Sequence, residues 1–163
     1  MHLLTDGAPE RRLTVSNEYL RGLVEGEGCF TLCRHGKAKI PTFALQMHAR
    51  DTELLLALSN RLRLHGSLYE IEENNRGGIE RGPAVRIMVR DAFTIKNVLI
   101  PFFYKKLHGH KGQQFEKWIS QMGSDIAVSK SFKEIYTLYA SGYYDTNPVD
   151  KFWESHNNPA GSA

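Results

Sequence analysis

The sequence predicts an α+β fold, in the order αββαββα, with an antiparallel sheet covered by helices on one face and open on the other. Three patterns predict it. Residues 38–48 and 83–90 alternate apolar and polar side chains, the period of a half-buried strand. Residues 51–62 carry Leu54, Leu55, Leu58 and Leu62 on one helical stripe. Each strand-like stretch has a neighbour nearby in sequence, so the strands pair as hairpins, and two hairpins with one apolar face each need helices on that face only.

Taken in order, residues 1–14 are polar and irregular, with Gly7, Pro9 and an Arg11-Arg12 pair, and read as a flexible N-terminal arm. Residues 15–141 are expected to form the folded domain. Ser16 has the character of an N-cap with Glu18 in the first turn, opening a helix to about Glu27. Strands follow at about 29–35 and 38–48, separated by His35-Gly36-Lys37. In the second, Pro41, Phe43, Leu45 and Met47 alternate with Thr42, Ala44, Gln46 and His48. Asp51 opens the next helix, which stops near Gly66. Strands at about 67–73 and 83–90 are joined through a polar loop around Glu73-Asn74-Asn75-Arg76-Gly77-Gly78. A helix from Asp91 to about Ile100 is expected to end at Pro101, because proline lacks the N–H that continues a helix. Helices at about 111–122 and 130–140 precede an irregular tail, 142–163, rich in Asn, Pro and Gly.

With 163 residues there is room for one domain with a real core. The 41% hydrophobic and 24% charged content is that of a globular chain, and no apolar run reaches membrane-spanning length. The opening Met1-His2-Leu3-Leu4-Thr5-Asp6 lacks the layout of a secretory signal, so a cytoplasmic (nucleoid-associated) or organellar location is expected rather than secretion. A net charge of +3 permits a nucleic-acid partner without demanding one. Cys29 and Cys33 lie four apart on one strand, too far for an easy disulfide and without the second pair of a zinc site, so both are expected to be reduced thiols.

The first helix carries the motif with most chemical content, Leu20-Arg21-Gly22-Leu23-Val24-Glu25-Gly26-Glu27-Gly28. Gly22 and Gly26 lie four apart, on one face, where missing side chains let a second helix approach. Each costs about 1 kcal/mol against alanine inside a helix, and close helix contact is a compensating reason. Glu27 falls at the helix C-terminus, whose dipole disfavours a carboxylate unless a cation reverses the balance. Two such ends side by side would gather carboxylates and carbonyl oxygens, a hard-oxygen site suited to Mg²⁺. The competing reading is plain tight packing of a glycine-bearing helix.

This nonapeptide resembles the LAGLIDADG motif of homing endonucleases, and the element order resembles that family's αββαββα domain. The resemblance runs from about Tyr19 to Trp118 and includes Phe43-Ala44-Leu45-Gln46-Met47 leading into Asp51, and Ile100-Pro101-Phe102-Phe103 with basic residues after it. The sequence departs from the commoner letters at Arg21, Glu25 and Glu27, the last two replacing aspartates. The resemblance implies site-specific hydrolysis of double-stranded DNA with Mg²⁺ (or Mn²⁺). Glu27 would be the metal ligand, assisted by the Gly26 carbonyl. A lysine near the site would be Lys111, with Lys105 or Lys106 in reserve.

In that family the open sheet face fits the major groove, where base edges carry an unambiguous code. Parity selects Thr31, Cys33 and His35, with Lys37 and Lys39 extending the hairpin, and Thr42, Gln46 and His48 beside them. The second hairpin adds Tyr69, Glu73, Arg86, Met88 and Arg90, and its loop Asn75 and Arg76. Arg50 is a further phosphate candidate. The plainer alternative is a solvated sheet face, against which Arg86 and Arg90 in a central strand speak for an anionic partner.

No second motif copy follows: Leu138-Tyr139-Ala140-Ser141-Gly142-Tyr143-Tyr144-Asp145 lacks the acidic-glycine ending. One motif per chain implies a homodimer joined through Gly22, Leu23 and Gly26, acting on a long, near-palindromic site. The rivals are a non-cleaving binder of the same fold, such as an intron maturase or transcription regulator, and a small α+β protein whose motif helix merely dimerises.

Overall fold

The computed structural model describes residues 2–3, 13–64 and 67–146. Helix α1 (Asn17–Glu27) starts where the Tyr19 N–H donates to the Ser16 hydroxyl at 3.1 Å, the capping that the sequence led one to expect. Strands β2 (Gly28–His35) and β3 (Ala38–His48) follow, then a 3₁₀ turn (Ala49–Asp51) and α2 (Thr52–Leu62). Strands β4 (Leu68–Ile71) and β7 (Ala84–Val89) form the second pair. With β1 (His2–Leu3) at its edge, the main sheet has the order β1-β4-β7-β3-β2, with antiparallel pairing of β7 to both β3 and β4.

Its edge strand, β1 (His2–Leu3), pairs with β4 and lies within the segment read as an arm; residues 4–12 of that segment fall outside the described residues. The stretch read as a polar loop is instead a separate small hairpin, β5 (Asn74–Arg76) and β6 (Ile79–Arg81). Gly77 and Gly78 both take positive φ, +66° and +77°, the requirement of a tight two-residue hairpin turn. The Gly-Gly pair carried that signal; the polar composition around it concealed it.

The chain forms two compact units, residues 1–31 with 42–90, and 32–41 with 91–163. In the first, α2 lies against β4 and β7. Its core holds Leu20 and Val24 of α1, Leu55, Leu58 and Leu62 of α2, Phe43 and Leu45 of β3, and Val85, Ile87 and Val89 of β7. Each such side chain contributes about 1.5–3 kcal/mol on burial. The second unit has its own core, of Phe102 and Phe103 edge to face at 5.0 Å with Phe115, Trp118, Ile119, Met122, Phe132 and Ile135.

Pro101 does not end its helix. Helix α3 (Ala92–Thr94) runs into a π turn (Ile95–Leu99) and on through α4 (Ile100–Phe103). In the π register the Ile100 N–H donates to the Ile95 carbonyl, so the next donor in line, for the Lys96 carbonyl, would be residue 101. Proline has no N–H to give. The Tyr144 hydroxyl supplies the bond instead, at 2.9 Å. A widened turn and a donor from a later element thus let the helix pass its proline.

Helices α5 (His110–Ser124) and α6 (Lys130–Ala140) match the expected pair. The segment read as an irregular tail opens with a short helix, α7 (Tyr143–Thr146), whose Tyr144 is buried. Residues 147–163 lie outside the described residues. Cys29 and Cys33 are free thiols, and no helix of the described residues is long and apolar enough to cross a membrane.

Candidate nucleic-acid interface

The end of α1 is set by Gly28, whose N–H donates to the Val24 carbonyl. A Cβ on Gly28 would stand 2.6 Å from Val24 Cγ1 and 2.8 Å from the Val24 oxygen, so only glycine permits the strand to leave the helix this closely. Gly22 and Gly26 are different. Among the described residues a Cβ at either would meet nothing within 4 Å, and the stripe Tyr19, Gly22, Leu23 and Gly26 is exposed or half-buried in the single chain. Arg21, which departs from the family's small residue, points the other way and is buried, with Glu18 at 3.9 Å. Glu27 is exposed at the helix end. Among the described residues no group of three or more His, Cys, Asp or Glu side chains is placed to hold a metal ion.

Thr31, His35, Lys37, Gln46, His48, Glu73 and Arg90 are exposed, and Cys33, Tyr69, Arg86 and Met88 are half-buried. Gln46 lies directly opposite Arg86, which lies directly opposite Tyr69 on the other side. The Arg86 guanidinium donates through Nε at 2.8 Å, and through one Nη, to the Gln46 side-chain oxygen. His48 is exposed, yet its Nδ1 accepts the Arg50 N–H at 3.1 Å and so caps the 3₁₀ turn. Asn75 and Arg76 fall on β5, and their side chains lie outside the described residues.

Two expectations are corrected. Thr42 is 1% exposed and cannot meet a partner from the surface. Pro41, Thr42 and Phe43 are buried in succession, so β3 is covered on both sides there, which alternation cannot reveal. Lys39 shares the parity of Phe43 and Leu45, and its ammonium is engaged by Asp125 at 2.8 Å. Asp125 was invisible to sequence reasoning, because a single acid in an interhelical loop carries no pattern.

Of the lysines, Lys111 is half-buried in the first turn of α5, near a helix N-terminus. Lys105 donates to Asp145 at 2.7 Å, with Asp145 also accepting from the Tyr104 hydroxyl at 2.7 Å. Lys106 is exposed, as is Arg50.

Residues 20–122 match the model of a family described as LAGLIDADG endonuclease. The fold is similar to that of the meganuclease I-SmaMI bound to uncleaveable DNA, with TM-score 0.54 and 24% identity over 77% of this chain and 44% of that one. It is also similar to the LAGLIDADG homing endonuclease I-GzeII in complex with its DNA target, with TM-score 0.56 and 20% identity over 96% and 48% of the two chains. A third likeness is the group I intron-encoded homing endonuclease I-CeuI complexed with DNA, TM-score 0.51 and 13% identity over 96% and 72%. The chain spans about half the length of the first two.

Proposed function

The chain belongs to the LAGLIDADG endonuclease family, and from that premise we propose that it cuts double-stranded DNA at a specific site as a homodimer. The observation that carries the reading is the exposed Glu27 carboxylate at the end of a motif helix whose glycine stripe none of the described residues covers. The open stripe of Tyr19, Gly22, Leu23 and Gly26 is where a second copy would seat its own motif helix. The meganuclease I-SmaMI and the endonuclease I-GzeII, to which the fold is similar, are seen bound to DNA, which supports a DNA partner; we assign it to the open sheet face, and a dimer would present two such faces to a near-palindromic site.

The donor set fits a hard divalent cation such as Mg²⁺ or Mn²⁺ as a half-site. Glu27 and the Gly26 carbonyl are oxygen donors, and a second copy would double them. Such a metal, when bound, lowers the pKa of the attacking water and stabilises the leaving oxygen. Glu27 would hold the cation and set its position against the scissile phosphate. Lys111 is a separate assignment, a cation for the phosphate that the helix N-terminus of α5 would reinforce.

Glu27→Gln tests the reading, since it keeps size and hydrogen bonding and removes the charge. A library of candidate duplex sites should be bound at least as tightly as by wild type and cut several orders of magnitude more slowly. Cutting near the wild-type rate would overturn the assignment of Glu27. A wild-type protein that binds nucleic acid and never cuts, with Mg²⁺ or Mn²⁺ supplied, would instead be a non-cleaving relative such as a maturase or regulator.

A further inference from the structure

The Gln46–Arg86 pair has a hydrogen-bonding economy that decides what it can recognise, and this inference rests on the sheet face being the DNA interface proposed above. Arginine has five N–H donors and no acceptor, so the atom of Gln46 that receives Nε and Nη must be its carbonyl oxygen. That bond occupies the Nε edge of the guanidinium. The end-on edge keeps two N–H donors, one from each Nη group, for which no partner is present among the described residues.

Glutamine normally reads adenine with both ends of its amide, donating to N7 and accepting from N6. With its oxygen held by Arg86, Gln46 has only its amide donors left. The two side chains together therefore present donors alone. Of the four bases, guanine shows two adjacent acceptors, N7 and O6, in the major groove, in the spacing of an arginine fork.

We propose that Gln46 and Arg86 act as one reader of guanine, with Arg86 making the base contact and Gln46 serving as a positioning residue that aims its fork. Gln46 is then no independent adenine reader. Arg86 sits on the central strand β7, with Tyr69 on its other flank, so the fork has one well-defined direction relative to the sheet. Both side chains reach solvent from the face opposite the core, so truncating them leaves the packed residues of β3 and β7 in place.

The experiment is enrichment and sequencing of a randomised duplex library by the full chain in Ca²⁺. Wild type should enrich guanine at one symmetry-related pair of positions. Arg86→Ala should erase that preference, by about ten- to a hundredfold in relative affinity. Gln46→Ala should weaken the preference at the same positions and at no others. Gln46→Glu, which retains the acceptor, should keep guanine there while lowering affinity for all duplexes through its added negative charge. The proposal is overturned if Gln46→Ala and Arg86→Ala relax different positions, if adenine is the preferred base, or if Gln46→Glu turns a position toward cytosine. A wild-type chain that enriches no motif at all would instead remove the DNA-interface reading on which the proposal stands.

Discussion

Asp125 holds Lys39 by its side chain, Oδ2 accepting from Nζ at 2.8 Å, while two residues further on the Ala127 carbonyl accepts the Lys39 N–H at 2.9 Å. Asp125 also accepts the Ala127 N–H at 2.9 Å, so the loop between α5 and α6 is braced internally as it grips the start of β3. The strand end is thereby pinned by backbone and side chain at once.

The Lys39 ammonium, helped by the Ala127 N–H, holds the Asp125 carboxyl below the usual carboxylate value. A depressed folded pKa stabilises the fold above the ordinary carboxylate pKa, about 4, and that contribution is lost as pH falls through the lowered value. Asp125→Asn should therefore lower Tm at neutral pH, with the difference from wild type shrinking below about pH 4. Exchange of the Lys39 amide should quicken in the same variant. Identical pH profiles for the two proteins would show that the clamp contributes nothing.

The three glycines of the motif should separate cleanly. Gly28→Ala forces a Cβ to 2.6 Å from Val24 Cγ1 and should cost about 1–3 kcal/mol of stability by overpacking. Gly26→Ala finds open space among the described residues and should stabilise the single chain by about 0.5–1 kcal/mol through helix propensity. Gly26→Leu should weaken self-association, measured by sedimentation, by more than Glu18→Ala does. Equal dimer affinity for wild type and Gly26→Leu would place the second copy elsewhere.

Lys105 is already engaged by a carboxylate. Asp145 sits 2.7 Å from Lys105, and that bond raises the lysine pKa and lowers the carboxyl's. If Lys111 is the cation for the scissile phosphate, Lys111→Ala should slow cutting far more than Lys105→Ala. Rates that fell equally, or fell more for Lys105, would move that role into the turn before α5.

The π turn predicts a coupling. Tyr144→Phe removes the donor to the Lys96 carbonyl and should cost about 1 kcal/mol. With Pro101→Ala in place, residue 101 regains an N–H and that cost should shrink. A cycle of urea titrations measures both, and strict additivity would mean that the proline is not the reason for the tyrosine.

How far the sequence reached follows from the range of each interaction. The helix–hairpin–helix–hairpin order, the Ser16 cap and the outward parity of Thr31, Gln46 and Arg86 were legible, because side-chain periodicity and capping act over a few residues. The motif at 20–28 was legible because its glycines and acids are fixed in spacing. Tertiary structure alone decided the rest. Register set Gln46 opposite Arg86, so that the two side chains form one hydrogen-bonded pair. Burial from both sides removed Thr42, and a loop 86 residues away claimed Lys39. A tyrosine beyond α6 allowed a helix to run through Pro101. Each of these depends on which distant group supplies a charge, a donor or a covering surface, and no local pattern encodes that choice.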